Sequence, residues 1–398
     1  MIIKCEIFNY KSILSLEFEP GRVNVLIGEN GCGKSNILES LAFAAAANSN
    51  KLDSEFLMSR GVRTPSAELI ASKFSVDGDT EIKISLKFKD SKNDVLYSMK
   101  NVGDIYSKWE SKIKNVDYEI SKRNALVKLL TSLYSPDDHI NDSTKTQYAS
   151  LVIDEFQKAQ NKFNEEVLEG KVQISDPSKA INNFVIFSPE NTALKNYYKE
   201  GQIEPLSING DGLIKLLKVI SLKSKEQLSD IVKMLELLGW FKSLGVPKDL
   251  DKDNDGLLIE DKFTKTTFDQ NSSNEGFLYI LFYACLFVSE DSPKIFAIDN
   301  IETSLNPKLC TKLICEITKL AKKYNKQVFI TTHNPATLDG IDLNDEEQKL
   351  FVVSRRINGQ TKIKRIPSSE KPRKEDGSPM KLSDALMRGY LGGLPKGF

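Results

Sequence analysis

Gly28-Glu-Asn-Gly-Cys-Gly33-Lys34-Ser35 has the spacing G-x-x-x-x-G-K-[ST]. Glycines at such spacing let the backbone curl until its N–H groups converge on an anion. A helix opening directly after the loop adds positive potential. Asn30, Gly31, Cys32, Gly33, Lys34, Ser35 and Asn36 are therefore the expected contacts to a bound nucleotide. Lys34 would reach the β- and γ-phosphates of ATP, and the Ser35 hydroxyl would ligate Mg²⁺.

A cation on a triphosphate needs a carboxylate as well. Lys294-Ile-Phe-Ala-Ile298-Asp299 is an apolar strand ending in an acid, which makes Asp299 the second Mg²⁺ ligand. Many NTPases place a glutamate directly after that aspartate to polarise the attacking water. This chain has Asn300 there, an amide that accepts no proton, and Glu302 two residues later is a candidate base, a structural or dimer-contact residue, or a bystander in a slow, base-poor ATPase. Thr331-Thr332-His333-Asn334 follows the next apolar strand, and His333 is expected to read the γ-phosphate.

These residues need a strand before the loop, a helix after it and neighbouring strands that end together. Val23–Ile27 reads as a buried strand and Lys34–Ala47 as a helix. Further strands are expected at Ile2–Asn9, Leu14–Glu19, Glu81–Lys89 and Val95–Lys100. Trp109–Leu133 and Tyr148–Val172 have helical spacing, which predicts a helical arm or cap. Strand–helix alternation then resumes. It brings the strand Phe184–Phe187, helices at Gly212–Leu222 and Lys225–Leu238, the apolar helix Gly276–Val288 and the helix Pro307–Tyr324. Leu350–Arg356 and Thr361–Ile366 flank Asn358-Gly359, a hairpin turn signal. The fold class is α/β. The expected division is a head at 1–102 and 182–366, a helical insertion at 103–181, and a connector and tail at 367–398.

Composition narrows the class. The 55 Lys+Arg balance 55 Asp+Glu, which excludes a uniformly basic nucleic-acid binder. No apolar run reaches the ~18 residues of a membrane span. Five cysteines without a C-x-x-C pair and two histidines argue against a disulfide framework or a zinc site. The N-terminus lacks a secretory pattern, so a reduced, cytoplasmic protein is expected.

As a set, these motifs resemble the ABC-type P-loop ATPases of the OLD (overcoming lysogenisation defect), RecF and SMC-head group. The quoted residues are Ile2-Ile3-Lys4 with Phe8-Asn9-Tyr10-Lys11-Ser12, the glycine loop, Asp299 to Pro307, and Thr332-His333-Asn334-Pro335. The resemblance covers about residues 1–100 and 182–366. It implies heads that dimerise with ATP sandwiched between one subunit's loop and the other's signature motif. Ser272-Ser-Asn274-Glu-Gly276 stands in the signature's place, with Asn274 where the family has serine. Ser188-Pro189-Glu190 resembles the group's Q-loop region.

Two departures shape the functional expectation. Only 65 residues follow His333, too few for the nuclease domain of OLD proteins, and Asn300 replaces the glutamate that RecF and SMC relatives keep. The chain therefore looks like an ATPase component of two-gene anti-phage systems of the PARIS, Septu or AbiL type, regulating a separate effector such as a nuclease. One alternative is an ATP-bound scaffold that does not hydrolyse, in which Asn300→Glu would restore turnover. Another is a DNA-repair or recombination clamp. The basic segment Arg355–Lys374 reads as a DNA or RNA contact, a lysine-protected edge hairpin or a docking edge. Asp251-Lys-Asp253-Asn-Asp255-Gly256 resembles half a calcium loop but lacks the closing glutamate. His139 is expected to be solvated, and the apolar C-terminal tail to dock on its own body or a partner.

Overall fold

The computed structural model of the chain describes residues 1–63, 69–74, 80–103, 108–116, 176–196, 205–247, 256–264 and 266–393. The first stretch holds β1 (Ile2–Tyr10), β2 (Ile13–Phe18), β3 (Val23–Ile27), α1 (Lys34–Asn48) and α2 (Ser54–Ser59). Next come β4 (Ile82–Phe88), β5 (Val95–Asn101), β6 (Trp109–Asn115), β7 (Ile186–Phe187), α3 (Asn191–Lys195), α4 (Leu213–Lys223) and α5 (Lys225–Leu235). They are followed by β8 (Phe241–Gly245), β9 (Leu258–Asp261), β10 (Thr267–Phe268), α6 (Glu275–Val288), β11 (Ile295–Ile298), α7 (Pro307–Lys323) and β12 (Gln327–Thr332). The last described part holds β13 (Gln348–Arg355), β14 (Thr361–Ile366) and α8 (Leu382–Met387).

A six-stranded sheet runs β14-β13-β3-β12-β11-β7, parallel except for β14, which folds back on β13 as a hairpin. A five-stranded antiparallel sheet runs β2-β1-β4-β5-β6. The third sheet, β10-β9-β8, had no counterpart in the sequence reading. The pleat of the parallel sheet divides its side chains between two cores. Val25, Phe296, Ile298, Val328 and Ile330 pack with α4, α5, α6 and α7. Leu26, Ala297, Phe329 and Phe351 pack with α1 and the antiparallel sheet. α1 lies between two sheets and so must be apolar nearly all round. Its run Leu41-Ala-Phe-Ala-Ala-Ala-Ala47 is buried throughout.

One expected helix begins as a strand, for a physical reason. Trp109–Asn115 is a strand, not the start of a helix. It pairs with β5 across the edge of the antiparallel sheet, and Trp109 packs edge-on against Phe43 at 5.0 Å. Tertiary pairing and one aromatic contact outweigh local helical spacing there. The expected arm helices beyond residue 116, with His139 and the acidic turn at 251–255, lie outside the described residues. Of the two places expected for the C-terminal tail, its described part takes the protein's own body: Leu382, Ala385, Leu386 and Leu391 join the core of α4–α7. Asp339 caps this docked segment, accepting from Ser383 N at 3.0 Å and from Ser383 Oγ at 2.6 Å. No described helix is long and apolar enough to cross a membrane.

Candidate functional site

The glycine loop leaves β3, which lies buried between β12 and β13. A Cβ on Gly28 would lie 2.0 Å from the Val353 carbonyl oxygen, so only glycine lets the loop start this close to β13. Gly33 caps α1 at φ 108°, a conformation that glycine adopts without strain. The Lys34 side chain is buried, and its Nζ donates to the carbonyls of Gly28 at 2.8 Å and Glu29 at 3.0 Å. Burial pushes the Lys34 pKa below the usual lysine value, while the nearby Asp299 and Glu302 act the other way.

Asp299 follows the buried strand β11. Its Oδ1 accepts a short hydrogen bond from the Thr331 hydroxyl at the end of β12. The same hydroxyl accepts from Asn300 N at 2.9 Å. Asn300 stands at φ 54°, in the left-handed region that asparagine tolerates better than most residues. This turn buries Ile301 and carries Glu302 to the end of β12, where its Oε1 accepts from His333 N at 2.7 Å. Burial, then the Lys34 charge, pushes the His333 imidazole below its ordinary pKa, against opposing effects of Glu302 and Asp299. Lys34, Asp299, Glu302 and His333 thus form one electrostatic unit, although they lie far apart in the chain. Ser35 is half-buried in the first turn of α1. Asn30 and Gly31 form the exposed tip of the loop, and Cys32 beside them is buried.

The site fits a magnesium nucleotide on its own chemistry. Glu302 Oε2 is buried without a partner, an acceptor left for something that enters the site. Asp299 has an oxygen beyond the one that Thr331 engages. No cluster of three or more His, Cys, Asp or Glu suited to a metal occurs among the described residues.

Asn274 and Gly276 stand outside this unit. Asn274 caps α6, its Oδ1 accepting from Phe277 N at 2.9 Å. With Trp240, Glu275, Ser304 and Lys308 they line a separate groove of about 540 Å³. Glu275 ties this groove to two neighbouring loops, accepting from Asn191 Nδ2 at 3.0 Å and from Ser304 Oγ at 2.6 Å.

Around the expected contact Asn36 stand several residues that sequence reasoning missed. A cavity of about 600 Å³ beside the glycine loop is lined by Lys11, Ser12, Asn36, Arg63, Phe74 and Arg355. Asn36 donates to Ser12 Oγ at 2.7 Å and accepts from Arg63 Nη2 at 3.3 Å. Buried Glu39 is held by Lys11 Nζ at 2.5 Å and Arg63 Nε at 2.6 Å. Arg355, read as part of a basic surface segment, reaches the loop instead, donating from Nε to the Gly31 carbonyl at 2.9 Å. These contacts span up to 324 positions, and local spacing gives no sign of them.

A family model described as "AAA domain, putative AbiEii toxin, Type IV TA system" matches residues 23–339. A "DNA replication and repair protein RecF" from Clostridium novyi (strain NT) is 33% identical over 106 residues. That match spans 25% of this chain and 28% of the relative's length. Among solved structures, an SMC head bound to the C-terminal winged-helix domain of ScpA superposes with a TM-score of 0.53. It is 16% identical, and the match covers 93% of this chain and 98% of that one. The fold is therefore that of an SMC head, an ABC-type arrangement of the P-loop NTPase.

Proposed function

Because the chain belongs to this AAA-domain family, and so binds ATP through its P-loop, we propose that it hydrolyses ATP slowly in a site closed by a second copy. In this reading residues 1–102 and 182–366 form the head together with β6, which adds to its antiparallel sheet, and the insertion expected at 103–181 begins only after that strand. The carrying observation is the placement of Glu302, one oxygen fixed by the His333 amide and the other buried and unpartnered beside Lys34 and Asp299. Mg²⁺ held by Ser35 and Asp299 would neutralise charge on the β- and γ-phosphates. Lys34 supports the same phosphates, and the loop amides hold them in place. Glu302 orients water and takes its proton, and His333, kept neutral by burial and Lys34, reports the γ-phosphate to β12.

Asn274 and Gly276 sit in a groove apart from their own P-loop, which suits contact with a nucleotide held by another copy. The cavity beside Asn36 takes the nucleoside end. The family's description as a toxin supports a role in a two-gene conflict system, with ATP state controlling a separate effector in anti-phage defence. Asn300 favours one competing reading, a scaffold that holds ATP without turning it over.

Turnover and sedimentation of the purified chain test both. Lys34→Ala should abolish ATP binding. Glu302→Gln should keep binding, lower turnover by roughly a hundredfold or more, and accumulate dimers in ATP that Asn274→Ala disperses. A wild-type chain that binds ATP but turns none over supports the scaffold. A robust rate unchanged by Glu302→Gln removes Glu302 as the base.

A further inference from the structure

The glycine loop is held from outside by the β13–β14 hairpin. Arg355, the last residue of β13, donates from Nε to the Gly31 carbonyl at 2.9 Å, and its Nη1 donates to the Gly359 carbonyl in the hairpin turn. Thr361, the first residue of β14, is buried and donates from Oγ1 to the Cys32 carbonyl at 2.9 Å. Its Oγ1 also lies 2.7 Å from Ser12 Oγ, and its N–H donates to the Ser12 carbonyl at 2.9 Å. A Cβ on Gly33 would meet Thr361 Oγ1 at 2.2 Å, so the hairpin fills the space that the glycine leaves.

Peptide geometry turns these contacts into a statement about the nucleotide. In a trans peptide the C=O of one residue and the N–H of the next share a plane and point in opposite directions. Anchoring the Gly31 carbonyl fixes the Cys32 N–H, and anchoring the Cys32 carbonyl fixes the Gly33 N–H. Drawing both carbonyls toward the hairpin aims both amides away from it, the Cys32 N–H into the loop, where it donates to the Glu29 carbonyl at 3.4 Å, and keeps two negative ends clear of an incoming phosphate. We infer that Arg355 and Thr361 are positioning residues for nucleotide binding. They act through the peptide planes 31–32 and 32–33 and touch no phosphate themselves.

This rests on the P-loop reading of the site, and the test separates the two. Equilibrium binding of Mg-ATP and Mg-ADP to the full chain is measured with the melting temperature of the nucleotide-free protein. Thr361→Val keeps the packing and removes the hydroxyl, and it should weaken both nucleotides about fivefold to tenfold. Thr361→Ser restores the hydroxyl and should recover most of that loss. Arg355→Gln should weaken both nucleotides by a similar factor, and Arg355→Lys should recover little, because one ammonium does not reproduce the guanidinium's two-carbonyl bridge.

If Thr361→Val proves too unstable, the half-buried Arg355 pair decides. Folded Thr361→Val and Arg355→Gln chains that bind like wild type overturn the inference. Full rescue by Arg355→Lys overturns it for Arg355, because charge alone would then suffice. A wild-type chain that binds neither nucleotide overturns the site reading itself.

Discussion

At the residue scale, Asn300 shows how backbone conformation limits what a side chain can do. Its place in the sequence invites comparison with the glutamate of related ATPases, and its amide accepts no proton. The structure adds a reason for the amide: the residue stands at φ 54° and turns the chain so that Glu302, not residue 300, faces His333. Asn300→Gly should therefore fold with near wild-type stability. Asn300→Glu should cost about 1–2 kcal/mol and leave ATP turnover no faster, as read by thermal melting and a coupled phosphate assay. A faster Asn300→Glu enzyme would move the base back to position 300. The placement of Lys34, Asp299, Glu302 and His333 was legible in the sequence because each sits near the end of a strand or the start of a helix whose pattern is local. Thr361 and Arg355 were not, because their roles depend on a loop more than 300 residues earlier.

At the scale of elements, the strands and helices around the site were largely readable, the edge strands β2 and β14 included, whereas β6 and the small sheet β10-β9-β8 were not. β3, α1, α6, β11, α7 and β12 fall within a residue or two of their expected bounds, since the helices are long apolar or amphipathic runs and the strands are short apolar runs. β6 was misread because its stability comes from β5 and Phe43. Lys326 shows another contact that pattern cannot disclose. Its buried Nζ donates to the carbonyls of Ser289 at 2.7 Å and Ser292 at 2.9 Å and to Ser292 Oγ at 2.7 Å. It thereby ties the turn after α6, which leads into β11, to the head of β12. Lys326→Met takes the charged donor from this buried cluster, leaving Ser292 Oγ as the remaining donor to the Ser289 carbonyl, and should cost about 1–3 kcal/mol. Burial also pushes the Lys326 pKa from 10.5 down to about 8. Between those values the unfolded chain holds the proton and the folded one does not, so wild-type stability gains with rising pH. Denaturation midpoints at pH 7 and pH 10 should show that gain in wild type and not in Lys326→Met.

For the whole molecule, the central fact is that β3 lies between strands from the far end of the chain. Val25 pairs with Ile330 of β12 on one side and with Leu350 of β13 on the other, and Thr361 then fixes the loop that follows β3. No early fragment holds these partners. At ribosomal rates the loop waits roughly 15–60 s for them, and until then β3 is an apolar segment with no sheet to join. Ribosome-bound chains halted near residue 345 should neither retain on immobilised ATP nor resist protease, whereas release of the complete chain should bring both at once. Nucleotide capture by the halted chains would show that the loop forms alone. Synthesis thus carries its own timer: the phosphate cradle is translated about 300 residues before the strands that flank it, and it takes shape only once they have arrived.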